Sequence, residues 1–269
     1  MLHERCSCIT TKRASWIGAL FVWALLGCGF VQAQTASECA ADHIDAWGQV
    51  EYIYDGDTIR LSDQRIIRFV AINAPELSHD GHAAEPLAAE AKAALARLLP
   101  VGSRVGLRYD QEHTDHYRRV LAHVFDSQGR NVSAALLRQG YAFAIAMPPS
   151  LWQSPCYFRQ EAIARAAVMG IWGKAYYQPK NAQQLHTHTG GFYRVTGRVE
   201  HIGNSKRSVW LDMSKGFAVR IPRKALQYFT AEPIESLQDK VITVRGWTRF
   251  YNQKLNMTLT HPAMLESIQ

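Results

Sequence analysis

The sequence predicts a mainly β chain with helices, an α+β arrangement. A five-stranded barrel with three helices (residues 49–173) precedes a second small β-barrel (residues 191–269). Three observations predict it. Short runs rich in β-branched and aromatic residues recur between turn signals in both regions. Helical periodicity occurs only in the first, and residues 174–190 part the two with an aperiodic stretch of Gln, Pro and small polar residues that reads as a linker.

In the first region, residues 50–54, 58–61 and 66–72 form a predicted three-stranded meander around the turn Asp55-Gly56-Asp57. Residues 82–99 place Leu87, Ala91, Ala94, Leu95 and Leu98 at helical spacing, and Pro100 and Gly102 close that helix. Residues 105–110 and 120–125 are two more strands. A helix over 132–139 has Asn131 as its cap and Gly140 behind it; another begins at Ser154-Pro155 and runs to Met169 before Gly170. In the tail, residues 193–201, 208–213, 216–221, 241–248 and 255–260 are five short strands, the pattern of a small barrel of the oligonucleotide-binding (OB) kind. Its basic Lys206 and Arg207 and its aromatics, Trp247 among them, suit a surface for single strands; the same aromatics suit the core of so small a barrel.

The first 33 residues read as a signal peptide: Arg5, Lys12 and Arg13 precede an apolar run from Trp16 to Phe30, and Val31-Gln32-Ala33 offers a cleavage site. This run is short for a membrane span, so no stable span remains after removal. A lipoprotein site at Cys28 is the alternative, disfavoured by bulky Leu26 two residues before it. Export to the periplasm or the medium follows, with residues 34–48 as a mature N-terminal segment. Cys39 and Cys156 are the two cysteines left, and in an oxidising compartment an even pair predicts a disulfide. The net charge is +7 for the whole chain, which favours a polyanionic partner. The His186-Thr187-His188 pair has no third ligand nearby in sequence and reads as solvated linker.

Three segments carry the chemistry: Asp55-Gly56-Asp57-Thr58, then Arg68 followed by Asn73-Ala74-Pro75-Glu76, then Asp115-His116-Tyr117-Arg118-Arg119. Phosphodiester hydrolysis needs a base for water and cations around the phosphate. Glu76 suits the base, Arg68 and Arg119 can fork one phosphate, and Asp57 offers a hard oxygen for a divalent cation.

In that order and spacing the three segments resemble the staphylococcal nuclease (thermonuclease) family, over about residues 50–172. The resemblance implies an OB barrel with three helices, one Ca²⁺ ion, and Arg68, Glu76 and Arg119 as the catalytic trio. It also implies cleavage of DNA and RNA leaving a 3′-phosphate. Asp57, Asn73 and the carbonyl of Ala74 stand at the family's metal positions, and Asp115, Tyr117 and Arg118 lie at the substrate. The chain departs from the family at Asn73, where a carboxylate is usual, so Ca²⁺ binding weakens and another divalent ion becomes possible. Arg118 stands at a usual glycine, and Ala146 and Pro148 occupy the stretch of the family's nucleotide-stacking tyrosines. The expected protein is therefore an exported, monomeric, metal-dependent nuclease acting on DNA or RNA. The alternative is a catalytically weak or inactive nucleic-acid-binding module of the cell envelope.

Overall fold

The computed structural model describes residues 38–78, 83–185, 190–214, 216–231, 233–251 and 254–269. The predicted signal peptide with Cys28, the first residues of the N-terminal segment and the His186/His188 pair lie outside them.

The first barrel begins with strand β1 (Ala46–Ile53), joined to β2 (Thr58–Leu61) and β3 (Ile66–Phe69) as the predicted meander. The expected strand over 66–72 is broken: Ala71 takes a left-handed conformation (φ 63°) and turns the chain into a separate two-residue strand, β4 (Ile72–Asn73). Helix α1 (Ala88–Leu98) is shorter than its periodicity predicts. Pro86 biases the residue before it away from helix, and Leu87 is left-handed (φ 69°), so the turn starts only at Ala88. Strand β5 (Arg104–Thr114) extends past the expected end, and β6 (Val120–Phe125) falls where predicted. The barrel closes in the order β1-β2-β3-β6-β5, with β3 and β6 parallel. Inside it Ile59, Leu61, Ile67, Val105, Leu107 and Val124 are fully buried.

Helix α2 (Val132–Arg138) is capped as predicted: the Asn131 side chain accepts a hydrogen bond from the Ala134 N–H. Strand β7 (Phe143–Ala144) then pairs with β4, and helix α3 (Ser154–Ala166) packs on α2. The disulfide is present between Cys39 and Cys156, Cα atoms 5.7 Å apart across 117 residues of chain. Closing a loop of that length contributes about 4–5 kcal/mol on a chain-entropy account.

The expected linker is structured over its described part, residues 174–185. It forms 3₁₀ turns and strand β8 (Lys180–Asn181), which joins the edge of the C-terminal sheet in parallel with β9 (Gly191–Arg198). Beyond β9 come β10 (His201–Asn204), β11 (Ser208–Ser214), β12 (Phe217–Pro222), β13 (Val241–Tyr251), β14 (Lys254–Thr258) and β15 (Leu265–Ile268). Their order is β10-β11-β12-β14-β13-β9-β8, with β15 on β13. The tail thus holds more strands than expected. Residues 201–204 and 265–268 are short, and Gly203 weakens the strand signal of the first.

Residues 36–269 pack as one unit. Ile145 and Ala146, which follow β7, are buried in the C-terminal core. Glu161 of α3 accepts two hydrogen bonds from Arg245 Nη1 of β13, at 2.7 and 2.8 Å, and one from the Ala144 N–H at 2.6 Å. Nearby Glu266 of β15 meets Arg194 of β9 at 2.6 Å and Arg165 of α3 at 3.3 Å. Glu161, Arg194, Arg245 and Glu266 are almost wholly buried, so these charges hold one another in place of water.

Candidate active site at the barrel mouth

The site starts from a glycine. A Cβ on Gly56 would lie 2.7 Å from the Ala74 Cβ and 2.8 Å from that of Ala91, so only glycine lets the β1–β2 turn press against α1 and the exit of β4. That close approach buries Asp57, whose Oδ1 accepts from the Thr58 hydroxyl (3.1 Å) and whose Oδ2 accepts from the Ala74 N–H (2.7 Å).

Arg68 projects from β3 into the same place, 11% exposed. Its Nη2 lies 3.1 Å from Asp57 Oδ2 and 3.4 Å from Asn73 Oδ1. Its Nη1 donates to the carbonyls of Phe69 (2.5 Å) and Ile72 (3.0 Å). The left-handed turn at Ala71 makes this possible, because it swings β4 back so that Asn73 and the Ile72 carbonyl face the guanidinium. Burial pushes the Asp57 carboxyl up to about 8, against the pull of Arg68 and the Ala74 N–H. Glu76 adds negative charge close enough to raise it further.

Glu76 follows Pro75 on the way out of β4. Its N–H donates to Glu85 Oε2 (3.0 Å) and its carbonyl accepts from the Glu85 N–H (2.9 Å). The predicted helix over 82–99 takes in Glu85, whereas the helix starts at Ala88 and Glu85 is recognisable only from this paired contact.

Arg119 precedes β6. The register sets Arg68 opposite Leu121, so Arg119 stands two positions back on the same face of the barrel wall. Its Nε donates to Asp115 Oδ2 (2.7 Å), and its guanidinium lies 5.3 Å from the ring centre of Tyr117, which is 69% exposed. Burial would raise the Asp115 carboxyl, but hydrogen bonds from the Arg119 side chain and from the N–H groups of Arg119 and Tyr117 outweigh it and hold it below its ordinary value. Arg118 is left-handed (φ 63°), the conformation for which glycine is the easy choice.

The structure therefore gathers Asp57, Arg68, Asn73 and Ala74 at one point, with Glu76 beside them and Arg119 just before the adjoining strand β6. Lys206 and Arg207 are not brought there; they lie exposed in the β10–β11 turn. Trp247 reaches the site's flank through a chain of rings: Asn73 pairs with Phe143, Phe143 lies 5.2 Å from Phe192, and Phe192 lies 4.9 Å from Trp247. No local pattern announces this chain, since its members come from three separate strands.

Among the described residues, no three or more His, Cys, Asp or Glu side chains cluster as metal ligands. Asp57, Asn73 and the Ala74 carbonyl are nonetheless all hard oxygen donors, which fits a cation such as Ca²⁺ in kind. The set carries a single carboxylate, and Arg68 already engages both Asp57 and Asn73, so a cation competes there with a guanidinium.

Residues 66–174 match the family model described as staphylococcal nuclease homologue. The chain is 32% identical over 138 residues to "Endonuclease YhcR" of Bacillus subtilis, covering 47% of this chain and 11% of that protein. It is 31% identical over 132 residues to "Probable endonuclease LCL3" of Verticillium alfalfae, covering 47% of this chain and 45% of that protein. It is also 33% identical over 136 residues to "Protein ParB" of Escherichia coli, covering 46% of this chain and 71% of that protein. The chain thus spans less than half the length of the first two relatives, while the match to the third takes in most of that protein. The chain belongs to the staphylococcal nuclease homologue family.

Proposed function

We propose that this protein is an exported phosphodiesterase that cuts DNA or RNA at the mouth of the first barrel. The observation that carries the proposal is the largely buried Arg68 guanidinium held between Asp57 and Asn73 beside Glu76, with Arg119 just before the strand that pairs with β3. The two relatives named as endonucleases support it. Asp57, Asn73 and the Ala74 carbonyl would hold a hard divalent cation, which when bound would neutralise charge on the phosphate. Glu76 takes a proton from water as the water oxygen bonds to phosphorus, and the bond to the leaving sugar oxygen breaks with that oxygen taking up a proton. Arg68 and Arg119 pair with the non-bridging oxygens, where charge accumulates as five bonds form around phosphorus.

The test is cleavage of single- and double-stranded DNA and RNA in Ca²⁺, other divalent ions or chelator, beside Glu76→Gln and Asn73→Asp. Glu76→Gln should lower kcat at least about 100-fold. Asn73→Asp should lower the Ca²⁺ concentration needed. No cleavage by the unaltered chain in any ion overturns the proposal. That result would favour a second reading, a nucleic-acid-binding module without catalysis, which one observation supports: Arg68 and Arg119 are already satisfied by Asp57, Asn73 and Asp115.

A further inference from the structure

The outer face of the C-terminal sheet continues from the flank of the site into solvent. Adjacent strands bring one residue each into a row: Gly203 opposite Trp210, Trp210 opposite Arg220, and Arg220 opposite Thr258. Trp247 stands one residue beyond the pair Thr248 and Met257, next to Thr258. The alternate positions Leu211, Val219 and Met257 are buried, so the row's side chains point outward.

The row has the chemistry of a stacking platform. Trp210 is partly exposed, and Arg220 is steadied by a 2.8 Å hydrogen bond from its Nε to the Ser208 hydroxyl. A groove of about 340 Å³ opens at the Gly203–Trp210 end of the row, lined also by His201 and Lys254. Asp212, also in the groove, is paired with Lys254 at 3.1 Å. A Cβ on Gly203 would make ordinary contacts, 3.7 Å to the His201 ring and 3.9 Å to the Trp210 Cβ, so a larger side chain fits there beside Trp210. At the other end Trp247, 38% exposed, connects through Phe192 and Phe143 to Asn73.

We propose that this row binds a single strand of nucleic acid, with bases stacked on Trp210 and Trp247 and Arg220 on the phosphate between them, and that it delivers the strand to the barrel mouth. The two tryptophans are three strand spacings apart, about 14 Å, within the reach of a few extended nucleotides. The delivery step rests on the phosphodiesterase function proposed above; the binding does not. A basic chain, with net charge +7, suits a polyanion, and unpaired bases offer the ring faces that a duplex hides.

The test measures binding of a labelled single strand of about 20 nucleotides to the full chain carrying Glu76→Gln, in chelator, so that cleavage plays no part. Trp210→Ala and Trp247→Ala should each weaken binding roughly tenfold, and Trp210→Phe should keep it within about threefold. Gly203→Leu, which fills the space beside Trp210, should weaken it as much as Trp210→Ala without removing any core contact. Lys240→Ala, a charge lost off the row, should leave it unchanged. Unaltered affinity in both Trp210→Ala and Gly203→Leu overturns the proposal. Equal displacement of the strand by polyglutamate also overturns it, since the face would then be one for acidic protein segments. If the row variants weaken binding while the unaltered chain cuts nothing, the enzymatic function falls and the binding row stands.

Discussion

The two halves of this molecule pair their strands alike and differ in what they place at the mouth. In the first barrel β1 pairs with both β2 and β5, β2 with β3, β3 runs parallel to β6, and β6 returns to β5. In the C-terminal sheet, β9 and β10 share the part of β1, with β9 on β13 and β10 on β11. β11 pairs with β12, β12 runs parallel to β14, and β14 returns to β13. The first barrel buries a carboxylate at the turn before its second strand and places α1 behind it. The C-terminal sheet puts Lys206 and Arg207 at the matching turn and, among the described residues, has 3₁₀ turns between β12 and β13 where the first half has α1. One pairing scheme therefore carries the candidate site in one half and an exposed face with Trp210, Arg220 and Trp247 in the other, decided by a few residues on strands and at loop ends.

The comparison breaks most sharply at its arginines. Arg68→Ala should lower kcat by about 10²–10³-fold, whereas Arg220→Ala on the matching strand should act through KM on long single strands; steady-state kinetics on a long and a short substrate checks both.

Next in size is the seam between the halves. Arg245→Met leaves Glu161 buried without its cation and should cost about 3–5 kcal/mol in urea unfolding, while the joint change with Glu161→Leu should recover much of the loss.

A smaller effect concerns pH. His123 is fully buried, 2.8 Å from the Tyr157 hydroxyl and 3.3 Å from Asp110. Burial holds it below its ordinary value of 6.5, although Asp110 pulls the other way. The unfolded chain therefore takes up the proton first, and stability falls as pH drops below about 6.5. The raised Asp57 carboxyl works in the opposite sense, losing stability as pH rises towards 8. Unfolding of His123→Gln should thus show a flatter acid limb than the unaltered chain between pH 6.5 and about 5.

The smallest effect is at Arg118. Replacing this left-handed residue by glycine should raise stability by up to about 1 kcal/mol, read as a higher thermal midpoint.

Much of this was legible along the chain. The meander, the Asn131 cap, the cysteine pair and the order Asp57, Arg68, Glu76, Arg119 all depend on neighbours close in sequence or on simple counting. What was not legible depends on contacts made only after folding. The break at Ala71 carries no glycine or proline to mark it, and α1 begins late because Leu87 adopts a conformation its side chain does not advertise. Glu85 matters only once it meets Glu76, and Arg245 reads as one more basic residue in a strand until Glu161, 84 positions earlier, is beside it.

That last pairing bears on what each half is without the other. Glu161 and Arg165 come from one half of the chain, and Arg194, Arg245 and Glu266 from the other. Without the second half, Glu161 would lose Arg245 and its cover together, and water would take the place of the cation while the Ala144 N–H kept its hydrogen bond. The burial of Glu161 is thus a property of the two halves together, and a first barrel standing alone would carry it as an ordinary surface carboxylate.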